Sequence, residues 1–174
     1  WGIDVTVIED ANGHVRNIQV ASGEIKGMDR RIPADASSAL YWASLATIIL
    51  DARIELLGLD PADGQPDHQA IAALERIGLK LDRIDDRVVC TNSGRQHDGW
   101  GDLDASMMPD GAMALAVVAS CASDATRLTG LKTLRVKECD RVDALATELA
   151  KTGAKVVVKG DDLIISPQSD LTET

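Results

Sequence analysis

Hydrophobic and polar positions alternate along Ile3 to Ile8 and return along Val15 to Val20, with Asn12-Gly13 between them. Two-residue periodicity around an Asn-Gly pair predicts a β-hairpin. The pattern then changes to long apolar runs. Asp35-Ala36-Ser37-Ser38 leads into an almost wholly apolar stretch over 39–50, and Asp110-Gly111-Ala112-Met113 leads into another over 114–122. Each predicts a helix that is apolar all round and buried on every side. A short strand follows each helix, Arg53 to Leu57 before Gly58-Leu59 and Thr126 to Thr129 before Gly130-Leu131. An amphipathic helix comes next. Val142, Leu145, Ala146 and Leu149 recur at helical spacing before Gly153, as Ile71, Leu74 and Ile77 do before Gly78. Two strands then close each unit, over 79–91 and 154–166, around turns predicted at Asp85-Asp86 and Asp161-Asp162.

The chain therefore holds one αβαββ unit used twice. Asp35 and Asp110 lie 75 positions apart, and so do Gly78 and Gly153. That period is longer than those of the common solenoids. Apolar first helices with half-polar second helices and strands predict an α+β fold with helices in the centre and sheets outside. The repeat and the patterning fit a ferredoxin-like α+β domain with two generic βαβ units equally well.

Composition narrows the partners. The 174 residues carry a net charge of −10 without a basic run, which argues against nucleic acid or an anionic membrane. A small anionic substrate needs only a few local cations and stays open. Phe is absent and aromatics make up 2% of the chain, so the core is expected to be aliphatic. The three cysteines, Cys90, Cys121 and Cys139, form no CxxC pair, and histidines number three. That predicts a reducing, cytoplasmic setting and no metal site. No signal peptide or membrane-length apolar run occurs. The opening at Trp1, with no initiator Met, suggests a segment of a longer chain.

Candidate chemistry gathers at helix starts. Leu134 to Arg141 places Arg135, Lys137 and Arg141 around Glu138 and Asp140 at a strand-to-helix junction. Free amides and the helix dipole already favour anions there, and clustered cations add to the effect. Glu138 among cations is expected to be ionised and able to exchange protons with a bound ligand. The same carboxylates read equally as helix caps, and Arg141 as a surface residue. Asp110 and Asp35 are each preferred N-cap residues as well. Ser37 and Ser38 could bind phosphate, although Ser is common at helix starts.

The strings LRVKECDRVDALATELAKTGA, DASMMPDGAMALAVVA and PADASSALYWASLA together resemble segments of the EPSP synthase family, in the family's order and over essentially the whole chain. The resemblance implies an inside-out α/β enolpyruvyl-transferase domain built of βαβαββ units. On that basis 1–174 is a single partial C-terminal domain: hairpin and connector 1–34, first unit 35–92, linker 93–109, second unit 110–168 and tail 169–174. It implies transfer of the enolpyruvyl group of phosphoenolpyruvate to the 5-hydroxyl of shikimate 3-phosphate, without a metal or organic cofactor. Asp110 matches the family acid at the reacting hydroxyl. Glu138 matches the residue that exchanges protons with the phosphoenolpyruvate methylene. Lys137 and Arg141 match substrate-binding cations. Thr133 stands in the region where members often carry a substrate-contacting Asn, and Cys139 replaces a usual Ser or Thr.

The family's N-terminal Lys-Ser pair, Ser-Ser-Gln run and arginines are not found in these residues, nor is its late DHR-type segment. The chain alone is therefore expected to lack turnover and to need the N-terminal domain as partner. A non-catalytic binding or scaffold domain of the same fold is the alternative from another class. UDP-N-acetylglucosamine enolpyruvyl transferase is the nearest enzymatic one.

Overall fold

A computed structural model describes residues 2–85 and 87–167. The chain divides into two compact units, one reaching Ile32 and one beginning at Pro33. In the first, β1 (Val5–Glu9) pairs antiparallel with β2 (Val15–Val20), as the alternation predicts. Asp10 holds the turn by accepting the amides of Asn12 and His14 on one carboxylate oxygen, at 2.9 and 3.0 Å. Gly13 takes the left-handed backbone there (φ +79°), which costs glycine little.

The second unit runs through α1 (Ala36–Ile48), β3 (Arg53–Leu57), α2 (His68–Glu75), β4 (Lys80–Ile84) and β5 (Arg87–Thr91). It continues with β6 (Gly101–Asp104), α3 (Gly111–Ser120), β7 (Thr126–Thr129), a 3-10 helix (Leu131–Val136), α4 (Arg141–Lys151), β8 (Lys155–Lys159) and β9 (Asp162–Ser166). The first sheet has the order β3-β5-β4 and the second β6-β7-β9-β8. Matching β3 with β7, β5 with β9 and β4 with β8 overlays the two orders, so the repeat in the sequence is a repeat in the fold. The stretch 93–109 contributes β6, which lies parallel to β7 across the α3 crossover. The expected turn at Asp85-Asp86 has Ile84 paired with Arg87 around it, and Asp86 itself lies outside the described residues, as does the tail 169–174. The second turn falls one residue earlier than expected. Lys159 pairs with Asp162, which leaves Gly160-Asp161 as the turn, because glycine accepts the positive φ (+63°) that its first position needs.

Helices α1 and α3 pack on each other, α1 against β3 and β5 and α3 against β7 and β9. The two first helices thus lie inside and the sheets outside. Their contact is aliphatic: Ala36, Leu40 and Ala43 of α1 and Ala112, Leu115 and Val118 of α3 are almost wholly buried. One expectation is only half met. Helix α1 is buried on the side facing α3, yet Tyr41, Trp42 and Leu45 remain 57%, 58% and 39% exposed. Within this unit α1 packs against α2, α3, β3 and β5, and the stripe that carries these three residues is left uncovered. Among the described residues no helix is long and apolar enough to cross a membrane.

Candidate active site

The two repeated aspartates start their helices in different ways. Asp35 has an extended backbone (ψ 114°), and its carboxylate accepts the amides of Ser37 and Ser38. This is ordinary N-capping. The Ser38 hydroxyl also donates to the carboxylate, and that bond, ahead of the Ser37 and Ser38 amides, holds Asp35 below the usual carboxylate range despite some burial. Asp110 instead has helical backbone angles (φ −72°, ψ −33°) and makes no side-chain bond to its own helix. Its carboxylate turns to the start of α4.

There Arg141 is the first residue of α4. The Asp140 carboxylate caps that helix by accepting the amides of Val142 and Asp143. With the first turn so fixed, the Arg141 guanidinium reaches two acids at once. One terminal nitrogen donates to Asp110 at 2.8 Å, and the other donates to Glu138 at 2.7 Å. Its Nε adds a third bond, to Glu138, at 3.0 Å. Lys137 Nζ stands 3.3 Å from the same Asp110 oxygen. The planar fork of arginine permits this double grip, which a lysine ammonium cannot reproduce. Four of the expected site residues, Asp110, Lys137, Glu138 and Arg141, therefore meet where the N-termini of α3 and α4 converge. Asp110 is 53% and Glu138 76% exposed on the side chain, so both acids remain open to a ligand.

Electrostatics keep Glu138 ionised. The amide of its own residue, then the bonds and charge of Arg141, hold the Glu138 carboxyl below its ordinary range, with Lys137 adding to the effect. Arg141 is pushed up in turn, first by its bond to Glu138 and then by Asp110. Ion pairs this exposed add little to stability. What the arrangement provides is two cations and two carboxylates at the positive ends of two helices, able to receive a phosphate or carboxylate and to move protons beside it.

Other residues of the sequence cluster are used elsewhere. Arg135 is bound by Asp140 (2.8 Å), by Asp161 (2.9 Å) and by the Gly160 carbonyl, so it ties the 3-10 helix to α4 and to the β8–β9 turn. Thr133 lies exposed on the 3-10 helix, and no side-chain hydrogen bond among the described residues joins it to the cluster. Two further residues that sequence reading passed over bear on the site. Gln65 accepts the Ala36 amide of α1 at 2.7 Å, and Asp67 accepts the Gly111 amide of α3 at 3.2 Å. A Gln-Pro-Asp loop has no motif-level signal. Only the full burial of Asp67, at 3% exposed, marks it. Among the described residues no three His, Cys, Asp or Glu side chains group as a metal ion would require.

Paired α/β repeats with their first helices inside define the fold of an enolpyruvyl-transferase domain. The chain belongs to the EPSP synthase (3-phosphoshikimate 1-carboxyvinyltransferase) family, whose sequence model matches residues 2–174. It is 40% identical over 136 residues to 3-phosphoshikimate 1-carboxyvinyltransferase of Pseudoalteromonas translucida, covering 78% of this chain and 31% of that protein. It is 34% identical over 178 residues to the same-named protein of Salmonella newport, covering 97% of this chain and 41% of the relative. The solved structure of EPSP synthase from Acinetobacter baumannii superposes with a TM-score of 0.71 at 26% identity, over 97% of this chain and 39% of that one. The enolpyruvyl transferase NikO from Streptomyces tendae shares the fold, with a TM-score of 0.59 at 16% identity over 79% of this chain and 31% of its own. This chain thus spans well under half the length of these proteins.

Proposed function

We propose that the chain forms one wall of an enolpyruvyl-transferase site that moves the enolpyruvyl group of phosphoenolpyruvate to the 5-hydroxyl of shikimate 3-phosphate. The observation that carries this reading is the double grip of Arg141 on Asp110 and Glu138, with Lys137 alongside. In the reaction the hydroxyl oxygen bonds to C2 of phosphoenolpyruvate while C3 gains a proton. The resulting tetrahedral adduct then expels phosphate and gives the C3 proton back. Asp110 takes the hydroxyl proton and passes it to the departing phosphate, while Glu138, protonated once substrate has displaced it from Arg141, gives its proton to C3 and takes one back. Lys137 and Arg141 bind the anionic groups and stabilise the adduct's charge. When substrate enters, its phosphate or carboxylate displaces the two protein acids from the cations, which frees each acid for proton transfer. Thr133 is a substrate contact at the edge of the site. Its exposure supports access, although no bond links it to the cluster.

One wall leaves the ligand facing water. The partner is the portion of the relatives' length that this chain does not span, and closure against it excludes that water. The chain alone is expected to give no turnover and to bind phosphoenolpyruvate at about 1 mM or weaker, since a few exposed charge contacts barely offset the cost of association.

The test measures phosphate release from the two substrates by the purified chain, alone and with the complementary portion of the Acinetobacter baumannii relative. It runs beside Asp110→Ala and beside an NMR titration with phosphoenolpyruvate. Turnover is expected only in the reconstituted mixture, lost in Asp110→Ala, with shifts at Lys137, Glu138 and Arg141. Undiminished turnover in the variant overturns the reading, and so does phosphoenolpyruvate that shifts other residues but leaves these three unmoved.

A further inference from the structure

We propose that Asp67, at the start of α2, is a positioning residue for Asp110. By holding the Gly111 amide it fixes the Asp110 backbone in its helical form, so that the Asp110 carboxylate is free to face Lys137 and Arg141. The inference rests on the reading of Asp110 as a substrate-facing acid. The first amides of a helix have no partner within it and attract any nearby carboxylate. In α1 the adjacent Asp35 carboxylate answers that pull. In α3 every early amide is already occupied. Gly111 donates to Asp67 at 3.2 Å, Ala112 to the Met108 carbonyl at 3.1 Å and Met113 to the Asp110 carbonyl at 3.4 Å. No amide is left for the Asp110 side chain, and its backbone stays helical rather than adopting the extended form seen at Asp35.

The geometry is tight and specific to this junction. A Cβ at Gly111 would sit 2.8 Å from the Ala70 Cβ, 3.0 Å from Asp67 Oδ1 and 3.1 Å from a Leu40 methyl. Only glycine lets α3 approach α2 closely enough for the Asp67 bond. Asp67 gives its own helix no side-chain cap bond, and its second oxygen is buried without a partner among the described residues. A buried carboxylate oxygen left unpaired is costly and calls for a reason. Two positions earlier, Gln65 accepts the Ala36 amide and donates to the Ala34 carbonyl at 2.8 Å. One loop therefore holds the starts of both inner helices. At α1 its bond adds to a cap already made by Asp35. At α3 it holds the peptide that follows Asp110, and with it the helical Asp110 backbone from which the side chain makes no cap bond.

The test is a crystal structure of the chain carrying Asp67→Ala, with Asp67→Ser if alanine fails to fold, since serine keeps a polar start for α2 but falls short of Gly111. Asp110 is expected to turn to an extended backbone, cap Ala112 or Met113 and leave Arg141. Asp110 still helical and bonded to Arg141 in the variant overturns the proposal. Asp67→Asn keeps an acceptor for Gly111 and should leave Asp110 on Arg141, and its release there also counts against the idea. An NMR titration with inorganic phosphate supplies a readout that general damage does not mimic. Freed of Asp110, the cations should bind phosphate up to about fivefold more tightly in Asp67→Ala. Asp110→Ala should gain as much and the double variant no more, whereas a purely structural role for Asp67 gives weaker or unchanged binding. Phosphate that leaves Lys137 and Arg141 unmoved in the wild-type chain counts against the site reading, while the Asp110 orientation still decides the role of Asp67.

Discussion

Asp35 and Asp110 occupy the same position in two copies of one unit, yet the Asp35 carboxylate closes on its own helix while the Asp110 carboxylate lies 2.8 Å from Arg141 in the next. The repeat places two equivalent carboxylates at two helix starts. Their neighbours separate them into a structural cap and an exposed acid.

Stability should separate them as well. Asp35→Ala removes a cap and is expected to cost about 1 kcal/mol. Asp110→Ala removes no cap and should cost less than half as much. Urea denaturation of the two variants beside the parent chain checks the order. A larger loss for Asp110→Ala would mean that its ion pairs, rather than the Asp35 cap, hold the helix starts.

Arg141→Lys keeps the charge but loses the fork that reaches both acids. Glu138 is held below its usual range first by its own amide and then by Arg141, so the variant should raise its titration midpoint part of the way back. The sign follows from linkage. A depressed folded pKa adds stability above the ordinary carboxylate range, and that stability is lost as pH falls through the folded value. The stability difference between parent and variant should therefore be present near neutrality and vanish in acid. Carbon-detected NMR of the Glu138 carboxyl, followed through the acid range, measures the midpoint. An unmoved midpoint would show that the amide alone sets it.

Much of this was legible in the sequence, for identifiable reasons. The repeat, the inner helices and the strand pairs follow from periodicity, since an almost wholly apolar run such as 114–122 has to be largely buried and alternation has to show one face. The cluster of Asp110, Lys137, Glu138 and Arg141 was legible through a family motif. Physical reasoning alone left each residue open to a capping or surface role. What was not legible depends on long-range geometry. Arg135 sits in the same cationic string as Arg141, but only the fold shows that Asp161, 26 residues away, holds it in a structural network. Nothing local distinguishes the Asp67 side chain, which acts on Gly111 across 44 residues. The exposed Tyr41 and Trp42 also run against periodicity, which reads burial but cannot name what lies opposite.

The contrast between the two arginines gives a further expectation. Arg135→Ala breaks contacts to Asp140, Asp161 and the Gly160 carbonyl, so it should lower thermal stability and loosen the β8–β9 turn while leaving phosphate contact at Lys137 and Arg141 in place. Arg141→Ala should do the reverse, with little change in melting temperature and loss of phosphate binding. Thermal melts and phosphate titrations on both variants form the comparison. Equal loss of phosphate binding in both would place Arg135 back among the ligand-facing cations.

The thiols offer a probe that needs no substrate. Cys90 lies wholly buried in β5, and burial pushes its thiol from 9.0 up to about 11, whereas Cys121 and Cys139 are exposed. Thiolate is the reactive form, so at pH 8 Cys90 should resist alkylation both by burial and by protonation. Iodoacetamide followed by peptide mass spectrometry should label Cys121 and Cys139 in the folded chain, and Cys90 only after denaturation. The same shift has a consequence in alkali. The unfolded thiol ionises near its ordinary value while the folded one stays neutral, so the unfolded state loses its proton first and stability falls as pH rises from about 9 towards 11. Cys90→Ala should flatten that part of the stability profile while costing packing in β5 at neutral pH. Labelling of Cys90 at the rate of Cys139 in the folded chain would show that the sheet opens, and that burial in β5 does not protect this thiol.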